Sequence, residues 1–135
     1  MYYPYLKQET FLSPAEIDFY KKLKVLADEK DLIVFAKVRL CDLVWIPKSY
    51  ELFKFFFNTI KAKQIDFVLC DANTFEIKCL VELDDKSHDL PQRHSRDTFV
   101  NKVVKKQDII SLDVVRQNMF VLLYNESKSL FRLLL

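Results

Sequence analysis

Two apolar runs, Ile65 to Cys70 (IDFVLC) and Phe75 to Leu83 (FEIKCLVEL), are separated by only Asp71-Ala72-Asn73-Thr74. Both runs are rich in β-branched and aromatic residues and read as strands. A connection this short can only return the chain alongside itself, so the two runs should form an antiparallel hairpin. The turn must be made without glycine, because the chain contains none, where average usage gives about nine or ten. Asp, Asn, Ser and Pro have to supply the turns. The same absence excludes Gly-based phosphate loops such as Walker A or GxGxxG.

Around this hairpin, helical and strand patterns alternate. Ser13-Pro14-Ala15-Glu16 reads as a helix start, with Ser13 as N-cap, Pro14 at the first helical position and Glu16 closing a capping box. Phe19, Leu23, Leu26 and Ala27 then recur at helical spacing, which predicts a helix over 14–28. Leu32 to Leu40 reads as a strand, and Trp45-Ile46-Pro47 breaks the pattern. Tyr50 to Lys61 reads as helical, with Phe53, Phe56, Phe57 and Ile60 on one face as core or a dimer face. Beyond the hairpin, a polar loop over 84–93 precedes a helix over 96–107 and a strand over 109–115. Phe120 to Tyr124 reads as a fifth strand or the approach to a last helix over 128–135. The expected class is α/β, a mixed sheet flanked by helices. The 135 residues fit one domain, with an extended arm over 1–11 and a C-terminal extension over 116–135.

Charge and cysteine usage narrow the function only slightly. Lys and Arg number 21 against 19 Asp and Glu, so net charge does not by itself announce a nucleic-acid partner. Cys41, Cys70 and Cys79 form no CxxC pair; an odd, sparse count fits a reducing compartment, and the expected location is cytoplasmic. No apolar run is long enough to span a membrane.

The informative residues are the acids of the hairpin. Asp66 lies inside an otherwise apolar strand, while Glu82 and Asp84 end the next one. If the hairpin is centred on Thr74, positions 66 and 82 are directly opposed, with Cβ atoms roughly 5 Å apart. Centring on Asn73 makes Glu82 a diagonal neighbour on the same face, and a half-residue shift puts the carboxylates on opposite faces. The first register is preferred, because it buries Phe67, Leu69, Val81 and Leu83 together. Carboxylates this close repel. A hard divalent cation removes that cost, and Mg²⁺ typically takes one or two protein carboxylates plus waters and phosphate oxygens. The plainer alternative is a set of solvated acids on an exposed face, paired with Lys78.

The segment Glu82-Leu83-Asp84-Asp85-Lys86-Ser87-His88, one hairpin after Asp66, resembles the E-x-D-x-x-x-H motif of the Vsr-like branch of the PD-(D/E)XK nuclease superfamily. More narrowly, the chain resembles a bacterial domain-of-unknown-function family in that clan. The likeness covers roughly residues 11–115. It includes Leu12-Ser13-Pro14-Ala15-Glu16, Val38-Arg39-Leu40-Cys41-Asp42-Leu43, Lys63-Gln64-Ile65-Asp66-Phe67-Val68 and Arg96-Asp97.

That resemblance implies a restriction-endonuclease-like αβββαβ core and Mg²⁺- or Mn²⁺-dependent cleavage of DNA, with RNA as an alternative substrate. It implies Asp66 and Glu82 as metal ligands, with Asp84 standing where many members keep a catalytic lysine. Glu16 matches the first-helix acid that completes the site through water. His88 matches a histidine near the scissile phosphate, where its pKa suits acid–base work. Lys78 and Lys86 are candidates for a displaced catalytic lysine. Arg93, Arg96 and Lys102, nearest the motif among the basic residues, are the expected phosphate contacts. The family commonly has glycine, proline and arginine around its fourth strand; Asp108, Ile110 and Asp113 stand there instead. So small a chain would draw target choice from a homodimer or a partner protein. The competing expectation is a catalytically inactive nuclease-like module that binds nucleic acid or protein.

Overall fold

The computed structural model describes residues 1–84, 110–115 and 120–123, with side chains described for residues 1–83. The expected helices over 96–107 and 128–135 lie outside the described residues. Helix α1 (Pro14–Glu29) leads into strand β1 (Leu32–Arg39), a 3-10 turn at Leu40–Asp42 and helix α2 (Phe53–Ile60). The hairpin strands β2 (Gln64–Asp71) and β3 (Ile77–Asp84) follow, then β4 (Ile110–Val115) and β5 (Phe120–Leu123). The class is mixed α/β. One five-stranded sheet runs in the order β1-β2-β3-β4-β5, antiparallel throughout except for the parallel β3–β4 pair. Phe120 thus begins a strand. Among the described residues no helix is long and apolar enough to cross a membrane.

Helix α1 begins where the capping signal places it. Ser13 Oγ accepts the Glu16 N–H at 3.2 Å, and the Ser13 N–H donates to Glu16 Oε2 at 2.8 Å. A box of this kind satisfies two otherwise orphaned amides. Helix α2 is shorter than the periodicity of 50–61 suggests. The Tyr50 N–H bonds Pro47 O and the Phe53 N–H bonds Tyr50 O, so the residues before 53 are spent on turns. Leu52, at the N-cap, has no side chain able to cap.

The helices cover opposite sheet faces. Leu23 and Ala27 of α1 pack on Phe67, Leu69, Cys79 and Val81, with Leu83 partly buried against them. Ile60 of α2 packs with Leu40, Val68, Cys70 and Leu80 on the other face. The strand residues divide between the two clusters by the period of two that a pleated sheet imposes. Phe67 is fully buried, its ring 5.5 Å from Phe19 and 6.3 Å from Tyr20. Burying a side chain of this size stabilises by about 1.5–3 kcal/mol.

The hairpin register is the Thr74-centred one: Phe67 pairs with Val81, Val68 with Leu80 and Leu69 with Cys79. An irregularity between Leu69 and Cys70 then shifts the pairing, and Cys70 meets Ile77. Phe75 and Glu76 therefore belong to the turn and not to β3. Asp71 Oδ1 accepts the Asn73 and Thr74 N–H groups at 2.8 and 2.9 Å. Phe75 adopts φ 60, and Asp31 and Lys37 also have positive φ, 53 and 54. With no glycine in the chain, ordinary residues fill the left-handed positions, at roughly 1–2 kcal/mol each and less for Asp, which tolerates αL.

Candidate functional site

The β2–β3 ladder ends at Phe67–Val81, while β2 continues to pair with β1 through Ile65–Val38 and Gln64–Arg39. One step beyond that last rung, the same register brings Asp66 and Glu82 opposite each other. Both are half-buried. Asp66 Oδ2 accepts the Leu83 N–H at 2.7 Å. The carboxylate therefore stands in for the backbone acceptor that the ladder no longer supplies, leaving Oδ1 for another partner. Glu82 lies on the strand position beside Leu83, and it also makes an interaction of its own. In the parallel ladder Glu82 is opposite Asp113 of β4. One row of the sheet thus carries acid positions on three neighbouring strands.

The β1 end of this row is irregular. Ala36 packs in the α1 cluster and Val38 in the α2 cluster, although strict alternation would put both on one face. The residue between them is Lys37, at φ 54. Across the ladder the same swap occurs on β2: Phe67 belongs to the α1 cluster and Ile65 to the α2 cluster, with Asp66 between. Lys37 and Asp66 therefore occupy the row at which both strands change faces. Lys37 Nζ lies 3.8 Å from Glu16 Oε2 and 5.2 Å from the Phe11 ring centroid.

The predicted site residues divide accordingly. Asp66 and Glu82 come together. Glu16 is engaged in the capping box and with Lys37. Among the described residues no group of three or more His, Cys, Asp or Glu side chains is placed to hold a metal, so Glu16, Asp66 and Glu82 do not form one. Asp84 closes β3, with its side chain outside the described set. His88, Arg93, Arg96, Lys102 and Lys86 lie outside the described residues. Lys78 bonds Glu76 at 2.7 Å, toward the turn and away from the acids. Arg39 is held by Asp42 through two bonds, at 2.9 and 3.0 Å.

The left-handed Lys37 at the β1 irregularity was not legible from periodicity. Its one signal is a lone lysine in the strand LIVFAKVR, the counterpart of the lone acid in IDFVLC. A second feature is an apolar hollow of about 430 Å³, lined by Val44, Trp45, Ile46, Phe53, Phe57 and Ile60 among others. Phe57, expected as core or a dimer face, is partly exposed there.

The described residues thus define a mixed α/β domain with a pair of carboxylates where a central hairpin opens. The chain belongs to the family described as protein of unknown function DUF2726, whose model matches residues 8–121. No curated protein and no solved structure matches the chain.

Proposed function

We propose that this chain is a divalent-metal-dependent nuclease on a restriction-endonuclease-like core, hydrolysing phosphodiester bonds in DNA. The observation that carries the reading is the opposition of Asp66 and Glu82 where the β2–β3 ladder stops. Two half-buried carboxylates present hard oxygen donors, a set that suits Mg²⁺ or Mn²⁺, which complete their shells with water and phosphate oxygens. Asp66 and Glu82 would hold the ion, with Asp84 assisting. A bound ion would supply Lewis-acid activation of the phosphoryl group and a lowered pKa for water. The protein's own contribution would be positional: the Leu83 N–H bonds the Asp66 carboxylate, and the register continued from Phe67–Val81 sets position 82 opposite it. His88 would orient or deprotonate the attacking water. Arg93, Arg96 and Lys102 would contact phosphates.

A second reading, an inactive nuclease-like module that binds nucleic acid or a protein, draws support from the structural duties of two acids. Asp66 caps a strand amide and Glu16 caps a helix. The two readings separate in one experiment: incubation of supercoiled plasmid and a labelled single strand with Mg²⁺, Mn²⁺ or EDTA, beside Glu82→Ala. Metal-dependent cleavage that the variant lacks, with its fold intact, supports the nuclease. Cleavage retained by Glu82→Ala sinks the site assignment, and binding that survives both EDTA and the variant favours the module.

A further inference from the structure

We propose that the apolar hollow beside α2 is a binding site for single-stranded nucleic acid, in which Trp45 and the Phe53–Phe57 wall stack on unpaired bases and Lys48 contacts the backbone. The site draws on neither hairpin carboxylate, so it goes beyond the nuclease reading and is tested apart from it.

The aromatic surface comes first. Trp45 and Phe57 both line the hollow, yet they remain 81% and 38% exposed. Phe53, also in the lining, has its ring parallel to that of Phe57 to within 10°, with the centroids 5.7 Å apart. Tyr50 and Phe55, each more than half exposed, meet on Phe56 of the same helix. Single exposed apolar side chains are ordinary, but a cluster of this extent marks a surface that binds something. The hollow is concave, and its volume of about 430 Å³ falls within the range of ligand sites.

Charge identifies the occupant. Residues 43–63 carry Lys48, Lys54, Lys61 and Lys63 against one acid, Glu51, a net +3, while the whole chain is only +2. The positive excess of the chain therefore lies in the segment that supplies most of the lining. Lys48 is itself part of that lining. Lys54 and Lys61 stand three residues before and four after Phe57, positions adjacent to it on the helix surface. Among the described residues Lys48, Lys54 and Lys61 have no carboxylate partner. A second copy docked here would set identical lysines against one another, because a two-fold interface uses the same patch twice. Protein interface cores are also depleted in lysine. A polyanion that carries flat aromatic groups meets both halves of the surface. Nucleic acid has that chemistry, and its bases offer their π faces only where they are unpaired, which selects a single strand.

Trp45 is the one tryptophan of the chain, so its emission reports on the hollow directly. The full chain is titrated in EDTA with a labelled mixed-sequence single strand and with its duplex, reading tryptophan emission and label anisotropy together. The expected result is quenching, with metal-independent binding that favours the single strand. Trp45→Ala should weaken that binding by roughly 5- to 150-fold, the range for one lost base stack. Its side chain is exposed, and an unchanged thermal midpoint checks that the fold is kept. Lys48→Gln should lower the slope of log K against log salt by about 0.7. Preference for the duplex, undiminished affinity in Trp45→Ala, or quenching by phosphatidylglycerol vesicles but not by the strand overturns the proposal. So does an emission change that follows protein concentration alone, which would put a second copy on this surface. Binding in EDTA without cleavage in Mg²⁺ refutes only the nuclease; cleavage without single-strand binding refutes only this site.

Discussion

The Asp66 carboxylate accepts the Leu83 backbone N–H at 2.7 Å, bridging β2 and β3 one step past their last rung. The bond gives Asp66 a structural role separable from any catalytic one. Asp66→Ala strands a part-buried amide, which costs about 1–3 kcal/mol. Asp66→Asn keeps a carbonyl oxygen for that amide and should cost well under this, yet it removes the negative charge a cation needs. Urea unfolding beside plasmid cleavage checks the pair: the asparagine variant should be near parental in stability and deficient in cleavage. Parental cleavage by Asp66→Asn would remove Asp66 from the metal site.

Glu16 carries two roles that a comparison with Ser13 separates. Either Ser13→Ala or Glu16→Ala breaks the capping box, and each should lower stability by roughly 1 kcal/mol. Only Glu16→Ala also releases Lys37. If the glutamate does nothing beyond capping, both variants cleave or bind DNA alike at a temperature where both are folded. A larger loss in Glu16→Ala assigns it to the site.

The lack of glycine leaves stability to be recovered. Asp31 follows the α1 C-cap at φ 53, the left-handed position where helices usually place glycine. Its carbonyl accepts the Ala72 N–H, a backbone bond that substitution leaves intact. Asp31→Gly should therefore raise stability by up to about 1 kcal/mol, less the entropy glycine adds to the unfolded chain. Thermal unfolding decides it; a lowered midpoint would mean that the Asp31 side chain contributes more than its backbone strain costs.

How much of this was legible depends on what each residue answers to. Helix α1 was readable because Ser13, Pro14 and Glu16 act locally, through amides three residues away. The central register was readable because centring the hairpin on Thr74 sets Phe67 directly against Val81 on the face that also buries Leu69. The start of β3 was not, since the shift at Leu69/Cys70 and the left-handed Phe75 are settled between strands. Helix α2 lost its first turn to bonds with Pro47 and Tyr50 that periodicity does not register. The acids Asp66 and Glu82 stood out as charges in apolar strands. Lys37 is also a charge in an apolar strand but was not singled out, because its partner Glu16 meets it only once α1 packs on the sheet.

The cysteines should behave unequally. Burial pushes the Cys79 thiol far above its ordinary pKa and also raises that of Cys70. A thiol whose folded pKa is raised stays protonated after its unfolded counterpart ionises. Its contribution to stability is therefore complete below about pH 8.5 and declines above it, by about 1.4 kcal/mol per pH unit for a fully shielded group. Cys41 is only half-buried. Alkylation of the native protein followed by peptide mapping should modify Cys41 first, with Cys70 and Cys79 protected until unfolding. Equal labelling of all three would contradict the packing of both sheet faces.

Asp71 makes the opposite prediction at acid pH. The Thr74 and Asn73 N–H groups bond its carboxylate and hold its pKa below the usual range. A depressed folded pKa contributes stability that is present above the unfolded value, near 3.9, and is lost as pH falls through the folded one. The turn should accordingly loosen below about pH 4, and Asp71→Asn, which keeps an acceptor oxygen without the charge, should flatten that dependence. Amide exchange at Asn73 and Thr74, followed from neutral to acid pH in both proteins and corrected for intrinsic exchange, reads the effect at its source. A parental protein whose turn amides keep their protection down through this window would show that the β2–β3 pairing, and not the Asp71 carboxylate, holds the glycine-free turn closed.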